Sequence, residues 1–243
     1  MVMELVAETR ETQRHRRRSI VRGQWVAVKA YRDAMAAFRS GDDARATELS
    51  QRALADARVS GDHAAEVEAL CMLARVALRE GDFNQVHRLA TEAESLAAAL
   101  PLAQRRMPLH LQAAGTRMAG DLSRARTLYE RSIALNEELG NARFVASEQR
   151  NLAYVELNDG RADRARELFA KAREGARTTG YTDLEPYLVQ DEAMVAGLDG
   201  DAKRAAELLA RAGSLLAARG ELPDPDEDAE QKRLRARLAK APG

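Results

Sequence analysis

Small residues recur along this chain at fixed distances from a marker glycine. Gly41, Gly81, Gly120, Gly160 and Gly200 follow one another at steps of 40, 39, 40 and 40 residues. Seven residues before each stands an alanine: Ala34, Ala74, Ala113, Ala153 and Ala193. Five residues after each stands Ala46, Val86, Ala125, Ala165 or Ala205, and twelve after it Ala53, Ala93, Ser132, Ala172 or Ala212. Four columns held through five copies mark a repeated structural unit.

Each column has a physical reading. Glycine suits the left-handed position just past a helix end, because it has no Cβ to clash there. The aspartate that follows in four copies (Asp42, Asp82, Asp121, Asp201) suits a helix start, where its carboxylate accepts from unpaired N–H groups. Gly-Asp therefore predicts the tight turn of a helical hairpin. The small columns predict where two antiparallel helices approach closely. Larger apolar residues fill between them, such as Leu70, Leu73 and Leu78, or Leu152, Val155 and Leu157. Further turn signals separate the units at Ser60-Gly61-Asp62, Leu100-Pro101, Leu139-Gly140-Asn141, Thr179-Gly180-Tyr181 and Arg219-Gly220. The expected fold class is all-α: a solenoid of five helical hairpins at 24–62, 63–101, 102–141, 142–181 and 182–221.

Composition narrows the function classes. Lys plus Arg and Asp plus Glu number 38 each among 243 residues, so no global positive field favours nucleic acid. Aromatics are only 4%, and the Ala, Leu, Glu and Arg bias favours helix. The single cysteine, Cys71, cannot form an internal disulfide and reads as a packing residue. No apolar run approaches the roughly 20 residues of a membrane helix, and residues 1–13 lack the apolar core of a secretory signal, so a cytoplasmic protein without membrane insertion is expected.

Asn151-Leu152-Ala153 followed by Gly160, Ala165, Phe169 and Ala172 resembles the tetratricopeptide repeat. The first and fifth units are looser, with Asp33 and Glu192 where that family usually has leucine. The period exceeds the family's basic 34 residues. It is similar to the long-helix variety of kinesin light chains and of the sensor arms of large bacterial transcription regulators. The resemblance covers about residues 24–221 and implies a right-handed superhelix whose first helices line a concave surface. Counting back from each glycine, the inward positions it implies include Tyr31, Arg32, Met35 and Arg39, then Met72, Arg75 and Arg79, then His110, then Arg150, Asn151 and Tyr154, then Tyr187 and Asp191. Such a mixture of Arg, Met and Tyr suits an extended acidic and apolar peptide. The chaperone-binding carboxylate clamp of some family members is not expected, because Tyr31, Met35 and Met72 stand where its polar residues would be.

Catalytic chemistry is not legible. His15, His63, His87 and His110 fall in different elements, and His63 with Glu66 makes only two ligands of a metal site. No phosphate-binding glycine motif and no nucleophile triad appears. No enzyme activity, cofactor or metal is expected.

The ends differ from the repeats. Residues 1–23 form a basic arm in which Arg10, Arg14, Arg18 and Arg22 share a helical face. That spacing fits either a contact with acidic partners or a solvated helix, and the lack of interleaved aromatics weakens single-strand stacking. Residues 222–243 open on Pro223-Asp224-Pro225-Asp226-Glu227-Asp228, and Leu234 with Leu238 gives a weak stripe; a terminal capping helix is expected. The functional expectation is a protein or peptide scaffold, monomeric or weakly dimeric. The alternative is a regulatory sensor of a signalling peptide or small molecule, acting with a separate regulator.

Overall fold

The computed structural model describes residues 29–239, which form helices joined by short turns, with no strand among them. The basic arm lies outside the described residues. The described part of the first helix, α1, covers 29–40. After it come α2 (Asp43–Ser60), α3 (His63–Glu80), α4 (Phe83–Ala97), α5 (Arg106–Met118) and α6 (Leu122–Glu138). The chain continues with α7 (Ala142–Asn158), α8 (Ala162–Thr179), α9 (Glu185–Leu198), α10 (Ala202–Ala218) and α11 (Pro225–Leu238). Helices α1 to α10 pair in sequence as five hairpins, and each hairpin packs on the next. No described helix is long and apolar enough to cross a membrane.

The Gly-Asp turns do two jobs in two residues. At Gly81, with φ of 77°, the chain bends back so that the Asp82 N–H donates to the Ala77 carbonyl at 3.0 Å. The Asp82 carboxylate then accepts from the Gln85 N–H at 2.9 Å and opens α4. Asp42, Asp62, Asp121 and Asp201 cap their helices in the same way. Arg161 departs from the pattern: α8 has no side-chain cap, and Asp163 supplies the negative charge in its first turn.

The small columns lie where hairpins are tightest. Every member is buried except Ala53, which is half-buried. Ala113, Ala153, Ala165, Ala172 and Ala193 have no exposed surface and lie beside or within the apolar cluster around Leu109, Leu152, Phe169 and Leu208.

The last segment does not sit as a cap on the outer face of the fifth hairpin. After Gly220 the chain crosses to the first hairpin, where the Leu222 N–H donates to the Arg39 carbonyl at 2.7 Å. Leu222 presses on Gly41, where a Cβ would lie 2.6 Å from its Cδ1. Asp224-Pro225 then starts α11, which runs back across the first helices of the hairpins and touches α3, α9 and α10. The Leu234 Cδ1 fills the space over Gly197, where a Cβ would stand 2.6 Å away. Only one side of α11 is buried, by Asp226, Glu227, Glu230, Gln231 and Leu234. That face is mostly acidic, so the acids that read as helix-start signals are the docking residues themselves.

The columns make a direct comparison possible. Ala153→Leu forces three additional carbons into a filled helix crossing and is expected to destabilise the chain by about 1–3 kcal/mol. Ala53→Leu, in the first hairpin at a half-buried column position, is expected to change stability far less. Urea denaturation of both variants checks this; equal losses would contradict the packing role of the columns.

Candidate ligand-binding groove

The concave side is built around two buried arginines. Arg117 on α5 and Arg150 on α7 are 1% and 3% exposed, a burial that guanidinium groups tolerate only when paired. Arg117 donates through Nη1 to Glu230 at 2.8 Å and through Nη2 to Asp226 at 2.5 Å. Arg150 forks onto Glu227 with both Nη atoms, one of them at 2.6 Å, and donates through Nε to Asp191 at 2.9 Å. The arginines come from the repeat and three of the four carboxylates from α11.

Polar side chains complete the network. The Tyr154 hydroxyl donates to Asp191 at 2.8 Å and lies 3.2 Å from Arg150 Nη2. Gln190 donates to Glu227 at 3.0 Å and accepts from Gln231 at 2.7 Å. Asn158 and Arg233 both donate to Glu230. Nearby, Glu148 on α7 is held by His110 at 3.1 Å and by Ser132 at 2.9 Å.

Burial sets the ionisation of the site, and the arginines act against it. Burial pushes Glu227 up to about 7 despite Arg150, with Asp226 adding to the push. Burial likewise pushes Asp191 up to about 6 against the pull of Arg150. Burial also disfavours the Asp226 anion, but Arg117, His110 and Arg150 outweigh it and hold its pKa below the usual value. For His110 burial acts downward, yet the charge and hydrogen bond of Glu148 raise it above its ordinary value.

Residues expected on the concave side divide into two groups. Tyr31, Met35, Arg39, Arg75, His110, Arg150, Asn151 and Tyr187 line one cavity between the first helices and the segment leading into α11. The others do not line it. Arg32 is exposed on α1. Met72 is buried against Ala34, Phe38 and Val76 between the first two hairpins. Arg79 also ties these hairpins together, donating to the Phe38 carbonyl at 2.7 Å, pairing with Asp43 at 2.6 Å and stacking over the Phe38 ring. Tyr154 and Asp191 are spent inside the arginine network. Register does not decide this: Met72 and Asp191 stand nine residues before their glycine as Asn151 does, Arg79 two before as Arg39 does, and Tyr154 six before as Met35 does, yet only Asn151, Arg39 and Met35 line the cavity.

Arg117, Arg106, Phe144 and Tyr181 were not among the expected positions. Arg117 had a legible signal. Three residues before each marker glycine stand Phe38, Leu78, Arg117, Leu157 and Gly197. An arginine and a glycine in an otherwise apolar column break the repeat, and both departures face α11. Cys71 is buried, and burial pushes its thiol up to about 12, far from the thiolate that reacts. His63 meets only Glu66, which Arg58 also holds at 2.9 Å. No group of three potential metal ligands exists among the described residues.

The sign of the pH dependence follows from these shifts. Glu227 and Asp191 keep their protons in the folded chain after the unfolded chain has lost them, so they cost stability as pH rises from the ordinary carboxylate range through about 6 to 7. His110, raised, contributes stability that is lost as pH rises through its folded pKa. Asp226, lowered, acts oppositely but only at acid pH, below its ordinary value. The thermal midpoint is therefore expected to fall between about pH 5 and about pH 8, and Glu227→Gln to flatten that fall. A midpoint that rises across this window, or an unchanged slope in the variant, would contradict the assignment.

Comparison with known proteins yields no matching family model and no matching curated protein. Solved structures do match. BtubC (BKLC) from P. vanneervenii is 21% identical over 83% of this chain and 94% of its own, with a TM-score of 0.57. The apo form of RapI is 14% identical over 90% of this chain, with a TM-score of 0.56, and this chain spans 60% of its length. A putative kinesin light chain from Podosopora anserina with nearly identical TPR-like repeats is 17% identical over 71% of this chain and 92% of its own, with a TM-score of 0.48. At such identities the likeness to the first two shows the fold alone: the chain is an all-α solenoid of helical hairpins.

Proposed function

We propose that this protein is a non-enzymatic interaction module whose concave side holds an acidic, partly apolar segment of a partner protein. One observation carries the reading: the groove arginines already hold such a segment. The α11 helix presents Asp226, Glu227 and Glu230, at i, i+1 and i+4, to Arg117 and Arg150, with Leu234 as its apolar anchor. A partner of the same chemistry would compete for this seat with the chain's own helix. Specificity would come from the arginine forks, whose carboxylates must meet them in register, and adhesion from burial of the apolar end.

The resident helix sets the terms of the test. A labelled peptide copying residues 221–239 is expected to bind the full-length chain weakly, because α11 occupies the site at high effective concentration. Replacing Asp226 by Asn and Glu230 by Gln in the chain weakens the resident helix and is expected to raise peptide affinity by tenfold or more. Adding Arg150→Met to that variant should abolish the gain. The reading fails if the weakened chain, still folded by circular dichroism, binds the acidic peptide no better than the parent.

A further inference from the structure

Beside α11 a cavity of about 460 Å³ remains between α1, α3, α5, α7 and the segment 221–227 that crosses from the last hairpin to the first. That size falls within the roughly 300–1,000 Å³ of small-molecule sites. It lies at the middle of the concave side, where repeat proteins present their binding residues.

Its lining carries Arg39, Arg75, Arg106, Arg150 and Arg219 against six carboxylates, so what distinguishes it is the pairing of individual groups rather than net charge. The lining carboxylates are mostly taken: Glu148 by His110 and Ser132, Asp226 by Arg117, Glu227 by Arg150, and Glu221 by Arg39 at 3.2 Å. Two lining guanidiniums are not matched in this way. Arg75, 16% exposed at its side chain, meets the Met107 sulfur at 3.2 Å and has only Asp224, at 3.9 Å, as an ionic neighbour. Arg106 lies 3.5 Å over the face of Phe144 and enters no salt bridge among the described residues. Arg75 on α3 and Arg106 on α5 thus line one partly open cavity with donors not taken by a close carboxylate, flanked by Tyr31 and Tyr187. Both guanidiniums are half-buried, and an anion in the cavity would complete the donors they turn toward it.

We propose that this cavity binds a small organic anion, its carboxylate or phosphate held by Arg75 and Arg106 and its body packed against Tyr31, Met107 and Tyr187. The segment 221–227 forms one wall, so a bound anion also holds that segment in place beside α11. The anion contacts, Arg75 and Arg106, are not the arginines that seat α11, although the two sites share Asp226 and Glu227: failure of the peptide competition leaves those contacts untouched, and their failure leaves the peptide seat intact.

The probes are phenyl phosphate, benzoate and the neutral benzyl alcohol, titrated into full-length protein labelled at its methionine methyl groups. Met35 and Met107 line the cavity, whereas Met194 is packed in the core on α9. Saturable shifts are expected at Met35 and Met107 with at least one anion, with Met194 unmoved and benzyl alcohol inactive. Whichever anion binds more tightly identifies the head group. Arg106→Met should weaken that binding by tenfold or more, and Arg106→Lys should restore part of it, since a charge-assisted contact is retained. If Arg106→Met perturbs the fold, Arg75→Met provides the same comparison. Equal shifts with the neutral probe, no saturation by either anion in the millimolar range, or undiminished binding in a folded arginine variant would overturn the proposal.

Discussion

Two guanidinium groups buried in a helical groove need carboxylates, and the arrangement of the last eighteen described residues follows from that need. Arg117 and Arg150 are nearly inaccessible to water. Left bare, each would cost several kcal/mol of desolvation. The acids of α11 remove that cost only in one register, with Glu227 on Arg150 and Asp226 and Glu230 on Arg117. Burial of an ion pair is weak evidence for net stability, because an apolar pair of the same shape often does as well. What the pairs provide here is position: they decide where α11 lies and in which direction it runs.

Position has consequences along the whole array. A solenoid repeat normally touches only its neighbours. Here the segment 221–238 meets the first hairpin at Arg39 and Gly41, the third at Arg117, the fourth at Arg150 and the fifth at Gly197. Terminal hairpins are thereby joined through one strap, and opening of one end is opposed by contacts at the other. The same strap forms one wall of the cavity. That wall and the closure of the array are thus carried by adjoining side chains, with Glu227 and Asp226 belonging to both.

Much of the architecture was legible in the sequence because it depends on local rules repeated five times. Gly81-Asp82 needs only one turn of helix on either side to specify itself. The small columns announce their crossings because any large residue there would part the helices. The groove was less legible. Counting from glycine does not fix which side chains reach the groove: Arg39 and Arg79 both stand two residues before their glycine, yet Arg39 lines the cavity and Arg79 is consumed by Phe38 and Asp43. The acids of α11 misled for a different reason. Asp and Glu in a first helical turn are favourable anywhere, so their pattern alone does not distinguish solvent from buried arginine. The departures of Arg117 and Gly197 from their column were the available clue, and they acquire meaning only when something is known to lie against them.

The central claim is that α11 is seated on the concave side by these arginines. Amide hydrogen exchange of the full-length chain, resolved by segment, tests it most directly. Protection across residues 225–238 within the range of α9, falling sharply in that segment when Arg150 is replaced by methionine, is the expected result. Exchange in 225–238 as fast as in an unstructured terminus, with the groove helices α5 and α7 equally protected with or without the segment, would contradict the account.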